Sequence, residues 1–318
     1  MNHVTALKTA LVTGTVSVGL LAAGATWAQD EAQQQTMSFG PQTYAVEEFD
    51  VDGFVGSIEL VVEDRSDIEI SAQGPADRME RFEVEESGDR VEVSYRERDF
   101  SWNDWSTWLG WWRDTNFDPD DYPVVTVRLP AGTPIDVEGM TGDFVAGDLN
   151  SALSFGGAGA VDAMIGNVRS VDLSVAGAAD IRLGNVSGVA DISVSGAGDV
   201  DVGSAESVSL SVHGAGDVSF GDVRGGLEIS ISGRGDVDVA SVNGPVDISL
   251  AGSGDVLIES GYASSFDVSI AGAGDVTFRG TAVNPDVSIA GAGDVYIERY
   301  EGRLNHSGMG DVNIGSGS

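Results

Sequence analysis

The stretch that decides the fold covers residues 247–258 and reads DISLAGSGDVLI. It contains two short runs in which apolar and polar residues alternate, with a Gly-Ser-Gly-Asp segment between them. Alternation with a period of two is typical of a β-strand that buries one face, and closely spaced glycines are typical of a sharp bend. The unit therefore predicts a strand, a glycine corner and a second strand, followed by a variable linker.

Copies of this unit recur along the second half of the chain. The Gly-x-Gly-Asp segment lies at residues 196–199, 214–217, 233–236, 252–255, 272–275, 291–294 and 308–311, and degenerate copies end at Asp143, Ala160 and Asp180. Such self-similarity indicates a repeat architecture in which each unit buries its apolar face against its neighbours. We predict an all-β, right-handed parallel β-helix of about ten turns with a repeat of about 19 residues.

The alternation also predicts which side chains fill the interior. In the first strand of each unit they are Ile192, Val194, Leu210, Val212, Ile229, Ile231, Ile248, Leu250, Val268, Ile270, Val287 and Ile289. In the second strand they are Val200, Val202, Val218, Phe220, Val237, Val239, Val276, Phe278, Val295 and Ile297. A unit with an apolar inside and a polar outside cannot be stable alone, so we expect stacking to bury one continuous aliphatic core.

The chain divides into three parts. Residues 1–28 read as a secretory signal, with Lys8, an apolar stretch and a small-x-small cleavage site at 26–28. Residues 29–135 are β-rich but irregular and carry a Trp-rich insertion at 101–118, whereas residues 136–318 hold the regular repeat. The apolar stretch is shorter than the roughly 20 residues that span a bilayer. We therefore expect an exported protein, periplasmic, surface-located or secreted, without a transmembrane anchor after cleavage.

Composition excludes several classes of function. The 318 residues carry a formal net charge of −35 and include no cysteine, which rules out disulfides and thiol chemistry. Lys8 is the single lysine, so arginine and histidine supply the basic side chains of the mature chain. A surface with this charge repels nucleic acid and anionic lipid, and it suits cations or basic partners instead.

The N-terminal part contains three further motifs, at residues 49–51 (FDV), 56–60 (GSIEL) and 125–130 (VTVRLP). Together with the Gly-x-Gly-Asp ladder, they resemble the GIN-domain family, described as the putative auto-transporter adhesin head domain. The resemblance covers most of the mature chain. It implies a right-handed parallel β-helix in exported bacterial proteins, and it brings no established activity or catalytic residues.

Stacked units would align acidic side chains in rows. The corner row includes Asp199, Asp217, Asp236, Asp255, Asp275 and Asp294. These aspartates either accept hydrogen bonds from backbone N–H groups of the next turn or collect Ca²⁺, which takes oxygen ligands; no other cofactor is expected. A second acidic row is predicted at Asp172, Asp191, Glu228, Asp247, Asp267 and Asp286, and a serine row at Ser154, Ser174, Ser193, Ser211, Ser230, Ser249, Ser269 and Ser288.

The Trp-rich segment is the second candidate site. Residues 101–118 hold Trp102, Trp105, Trp108, Trp111 and Trp112, which a helical projection gathers on one side. The segment either caps the β-helix, where open strand edges invite aggregation, or presents an aromatic platform to a partner. As a platform it would bind a carbohydrate, an envelope protein or a membrane interface, although the flanking aspartates argue against an anionic membrane.

Three functions follow from these features. The first is a non-catalytic, adhesin-like interaction module of the cell envelope, and the second is an acidic rod that binds Ca²⁺ or is purely structural. The third is a polysaccharide-active enzyme, which would require an acidic cluster in a groove. We expect no enzyme, because His213 and His306 lie in distant repeats and no nucleophile constellation is apparent. The C-terminal turn at 303–314 lacks an evident cap, so we also expect that it can stack end to end on another chain.

Overall fold

The computed structural model describes residues 36–95 and 121–315. The predicted signal segment and the five tryptophans of the Trp-rich segment lie outside the described residues, so their roles stay predictions. The described parts are 71 % β-strand and 2 % helix. None of their helices is long and apolar enough to cross a membrane.

The N-terminal part contains seven strands and one short helix. They are β1 (Thr36–Tyr44), β2 (Glu48–Asp52), β3 (Val55–Glu63), β4 (Ile68–Pro75), α1 (Ala76–Met79), β5 (Phe82–Ser87), β6 (Arg90–Tyr95) and β7 (Val124–Pro130). Strand β2 pairs in parallel with β6, and β3 pairs in parallel with β7. Beyond them the pairing becomes antiparallel, because β5 adds to β6, β4 adds to β7, and β1 adds to β4. This end of the fold is therefore built differently from the repeats.

The regular part contains fifteen strands. They are β8 (Ile135–Ala146), β9 (Ala152–Ile165), β10 (Ser170–Leu183), β11 (Val186–Val202), β12 (Ala205–Val212), β13 (Val218–Val223), β14 (Leu227–Ile231), β15 (Val237–Leu250), β16 (Val256–Ile258), β17 (Gly261–Ile270), β18 (Val276–Val283), β19 (Asp286–Ile289), β20 (Val295–Glu301), β21 (Asn305–Gly308) and β22 (Val312–Ile314).

These strands stack as a parallel β-solenoid, which confirms the predicted fold class. The stack has about nine turns, close to the predicted ten. Each strand pairs in parallel with its copy one turn away, as β10 does with both β9 and β11. The first turn is formed by β2 and β3, which pair in parallel with β8. The N-terminal part and the repeats thus belong to one continuous sheet system.

The interior of the solenoid is the apolar core that the alternation predicts. Every predicted inward residue of both strands is at most 5 % exposed. The core also contains aromatic side chains, and Phe266 and Phe278 stack there with ring centroids 5.2 Å apart. Because each turn covers the apolar face of its neighbour, burial rather than any single contact holds the stack together.

The glycine corners are required mainly by the closeness of successive turns. Gly252 lies directly over Gly233, and a Cβ at Gly252 would lie 2.8 Å from the Gly233 amide nitrogen and closer still to its carbonyl oxygen. Positive φ, the reason that the sequence suggests, applies at Gly177 and Gly196 but not at Gly252. Most corner glycines are therefore needed to leave room for the backbone one turn away.

Candidate functional site

The corner aspartates form one continuous column on the outer surface, here called the Asp column. Strand register aligns its first four members, and hydrogen bonds between turns join the rest. The column consists of Asp143, Asp162, Asp180, Asp199, Asp217, Asp236, Asp255, Asp275, Asp294 and Asp311. The structure thus places all six aspartates with a predicted metal role in one line.

Within the column, six carboxylates, those from Asp199 to Asp294, accept a hydrogen bond from the backbone N–H of the next aspartate in the column. The N–H of Asp236 donates to Oδ1 of Asp217 at 3.0 Å, and the N–H of Asp255 donates to Oδ1 of Asp236 at 2.8 Å. In the other direction, the N–H of Val218 donates to the Asp236 carbonyl oxygen at 2.9 Å. Strands β9, β10 and β11 run through the corner, whereas β12 ends before it and β13 begins after it. The aspartate side chain therefore supplies an acceptor where the strand ladder is interrupted.

The same geometry limits what the Asp column offers to a metal ion. Ca²⁺ takes six to eight oxygen ligands, but one carboxylate oxygen of most column members already accepts a backbone N–H. Among the residues that the structure describes, no group of three or more acidic or histidine side chains is arranged to hold a metal ion. Calcium binding by the column stays a prediction, and the hydrogen bonds support the backbone role.

Substitutions at Asp236 would separate the hydrogen-bonding role of its carboxylate from the effect of its charge. In Asp236→Ala the N–H of Asp255 loses its acceptor, and we expect a loss of about 1 kcal/mol in the free energy of unfolding. In Asp236→Asn the Oδ1 acceptor remains while one of a row of like charges is removed, so stability should equal or exceed that of the wild type. Urea denaturation followed by circular dichroism measures both. An asparagine variant as unstable as the alanine variant would show that the charge itself is needed.

A second line of polar side chains, here called the acidic row, runs along the outer face of the first strand of each turn. Register pairs place Asp50, Asp136, Ser154, Asp172, Asp191, Ser209, Glu228, Asp247, Asp267, Asp286 and Asn305 in it. Partial burial, with the neighbouring charges of Asp247 and Asp286, raises the pKa of Asp267. Like charges one strand apart thus oppose ionisation in this row.

The serine row lies beside the acidic row, with one correction. Ser174 lies opposite Ser193 in the next turn but opposite Gly156 in the previous one, and Ser154 belongs to the acidic row. Likewise Asp162, and not Ala160, lies opposite Asp180. Both errors have one cause. The Gly-Ala-Gly-Ala segment at 157–160 resembles a Gly-x-Gly-Asp corner, but the corner glycine of this turn is Gly159. The predicted alignment of this turn is therefore shifted by two residues.

One part of the acidic row lies in a groove of about 400 Å³ near the N-terminal end. Pro134, Ala152 and Ser170 are among the residues that line it. Four acidic residues line the groove together with Arg90: Glu48, Asp50, Asp136 and Asp172. Arg90 Nη1 contacts Asp50 Oδ2 at 2.9 Å. An acidic cluster in a groove is what an enzyme would need, but one of these carboxylates is held in an ion pair.

Besides the Asp column, a second line of hydrogen bonds joins successive turns, and it was not predicted. At the opposite corner, Oδ1 of Asp148 accepts the backbone N–H of Asn167 at 2.8 Å, and Oδ1 of Asn167 accepts that of Asn185 at 2.8 Å. Asn185 does the same for Ser204 at 2.9 Å. A signal exists in the sequence, since Gly precedes each of these four residues. The linker between successive units, which the sequence predicts to be variable, therefore also carries a repeated feature.

A family model described as "Putative auto-transporter adhesin, head GIN domain" matches residues 48–245 and 227–317, and none of the curated proteins matches.

Three solved structures are similar at low identity. A putative adhesin from Parabacteroides distasonis is 14 % identical, with 89 % of this chain and 98 % of that chain covered and a TM-score of 0.44. A putative adhesin from Bacteroides fragilis is 13 % identical, with 89 % and 98 % covered and a TM-score of 0.33. A putative lipid binding protein from P. distasonis is 12 % identical, with 87 % and 97 % covered and a TM-score of 0.41.

Proposed function

Since the chain belongs to the GIN-domain family of putative auto-transporter adhesin heads, we propose that it is a non-catalytic, exported interaction module of the cell envelope. The outer surface of the repeats supports this proposal, because rows of repeated side chains run along it from turn to turn. Such a surface suits an extended contact with a partner better than it suits the enclosure of a small substrate.

The Trp-rich segment at 101–118 is the proposed contact. Its described flanks meet at the N-terminal end of the stack, where the Tyr95 and Tyr122 rings are 6.3 Å apart and the Arg78 guanidinium lies 4.6 Å from the Tyr122 ring centroid. The two described ends of the chain on either side of the segment therefore lie close together. Tryptophan is enriched at binding hot spots, and a carbohydrate or an envelope protein is the proposed partner.

Replacing all five tryptophans of the segment with serine tests this function. We expect an unchanged far-ultraviolet circular dichroism spectrum and loss of binding to bacterial cells and to a glycan array. A matched control replaces Tyr262, Tyr296 and Tyr300, which are exposed aromatic residues of the repeats, and should retain binding. If the tryptophan variant folds and binds like the wild type, the segment is not the contact.

A structural rod is the second candidate, and the Asp column favours it. Its carboxylates join successive turns through hydrogen bonds to the backbone, a role that needs no metal. Isothermal titration calorimetry with millimolar Ca²⁺ separates the two forms of this hypothesis. Heat of binding together with a higher melting temperature would support the calcium rod, and the absence of both would support a rod held by the backbone alone.

A further inference from the structure

The C-terminal end of the described stack has free strand edges. Strand β21 pairs with β19 and β22 pairs with β20, and among the described residues neither has a partner on its other side. The N–H groups of Asn305 and Met309 donate back to the preceding turn, at 2.9 Å and 3.0 Å. Because N–H groups alternate sides along a strand, those of His306 and Gly308 point away from the stack. This surface, residues 303–315, is here called the open end.

The edge strands at the two ends of the solenoid differ in their residues. At the N-terminal end, β5 carries Glu83, Glu85 and Glu86, and β1 contains Pro41. Charged side chains and proline are the usual protection of an edge strand against pairing. Strands β21 and β22 read NHSG and VNI and contain neither. The open end therefore keeps the pairing capacity that the other end has lost.

Charge and apolar exposure also single out the open end. In a chain with a net charge of −35, residues 303–315 contain one arginine, Arg303, and one aspartate, Asp311. Met309 is 85 % exposed, which is the largest value among the exposed large apolar side chains that the structure describes, and Ile314 is 38 % exposed. Two copies of this end can approach each other without the repulsion that two copies of most other surfaces would suffer.

We propose that the open end binds the open end of a second copy of this chain. A two-fold axis reverses strand direction, so the two edges would meet as antiparallel strands and extend the sheet across the contact. The same patch serves on both copies, and the assembly closes as a dimer and does not grow into a fibre. The patch has fewer residues than the 20–30 a side of a typical stable interface. We therefore expect a weak dimer, with a Kd on the order of 10–100 µM.

Sedimentation equilibrium of the mature chain at about 1–500 µM tests the proposal, over the range that brackets such a Kd. The wild type should show a monomer–dimer equilibrium. His306→Pro removes an N–H that points outward and none that bonds the preceding turn, so dimerisation should weaken at least tenfold. His306→Ala, the matched control, should dimerise like the wild type.

Met309→Lys provides an independent variant if proline perturbs the last turn. A lysine at this exposed position should leave the melting temperature unchanged and also weaken dimerisation at least tenfold, because two like charges would meet across the axis. A wild type that is monomeric throughout the range would overturn the proposal, as would variants with the wild-type dimer affinity. A series of species larger than the dimer would indicate head-to-tail stacking and contradict the two-fold contact.

Discussion

Gly252→Ala is expected to lower the free energy of unfolding by about 3 kcal/mol or more, the range of severe single substitutions. The new Cβ would lie 2.8 Å from the amide nitrogen of Gly233 and well inside van der Waals contact of its carbonyl oxygen. Both atoms belong to backbone, which cannot rotate away as a side chain could. The Gly233 carbonyl also accepts the N–H of Ser253 at 2.9 Å, so any shift that relieves the clash weakens this hydrogen bond between turns.

Gly147→Ala is the matched control for this substitution. A Cβ at Gly147 would meet no atom within 4 Å, and its backbone needs no positive φ. We expect the melting temperature of this variant to stay within about 2 °C of the wild type, since a surface change without new contacts has little effect. Differential scanning calorimetry of both variants measures the contrast. If Gly252→Ala melts like Gly147→Ala, the turns are not as tightly stacked as the structure shows.

Phe278→Ala should cost about 3–5 kcal/mol of stability, the usual loss when a buried phenylalanine is truncated. The ring is fully buried and stacks on Phe266 with an angle of 12° between the planes. Removing it leaves a cavity that main-chain-bonded turns cannot collapse to fill. The neighbouring turns would also lose apolar cover, because the core is one continuous column.

Two further variants serve as controls for Phe278→Ala. Phe278→Leu keeps most of the buried volume and should cost less than half as much. Tyr262→Ala removes an aromatic side chain that is 43 % exposed and should change the unfolding midpoint in guanidinium only slightly. Equal losses for Tyr262→Ala and Phe278→Ala would mean that the interior contributes less than its burial implies.

The sequence predicts the regular part of the fold well because one signal is repeated. Any single Gly-x-Gly-Asp segment is weak evidence, but its recurrence fixes the strands, the inward residues and the parallel pairing of β10 with β11. The alignment fails where the signal is ambiguous. At residues 157–160 two frames fit the glycine pattern, and pairing with β10 decides between them by bringing Asp162 beside Asp180.

The N-terminal part could not be predicted in the same way, because its pairs do not recur. Strand β3 lies between β7 and β8, although the chain visits β4, α1, β5 and β6 before it reaches them. No local pattern reports which distant strand becomes a neighbour. The candidate sites share this limit, since the rows follow from periodicity whereas the groove depends on the side chains that distant strands bring together.

This placement of β3 has a consequence for the order of folding. Ser57 and Asp143 are hydrogen-bonded across 86 residues of chain, whereas turns within the repeats close over 17–20 residues. Closing a longer loop costs more entropy and slows the formation of its contacts. Neighbouring repeats should therefore nucleate first, and β2 and β3 should dock late onto a ladder already in place. A chain that emerges N-terminus first would therefore leave one edge of β2 and one edge of β3 without its native partner until β8 has followed.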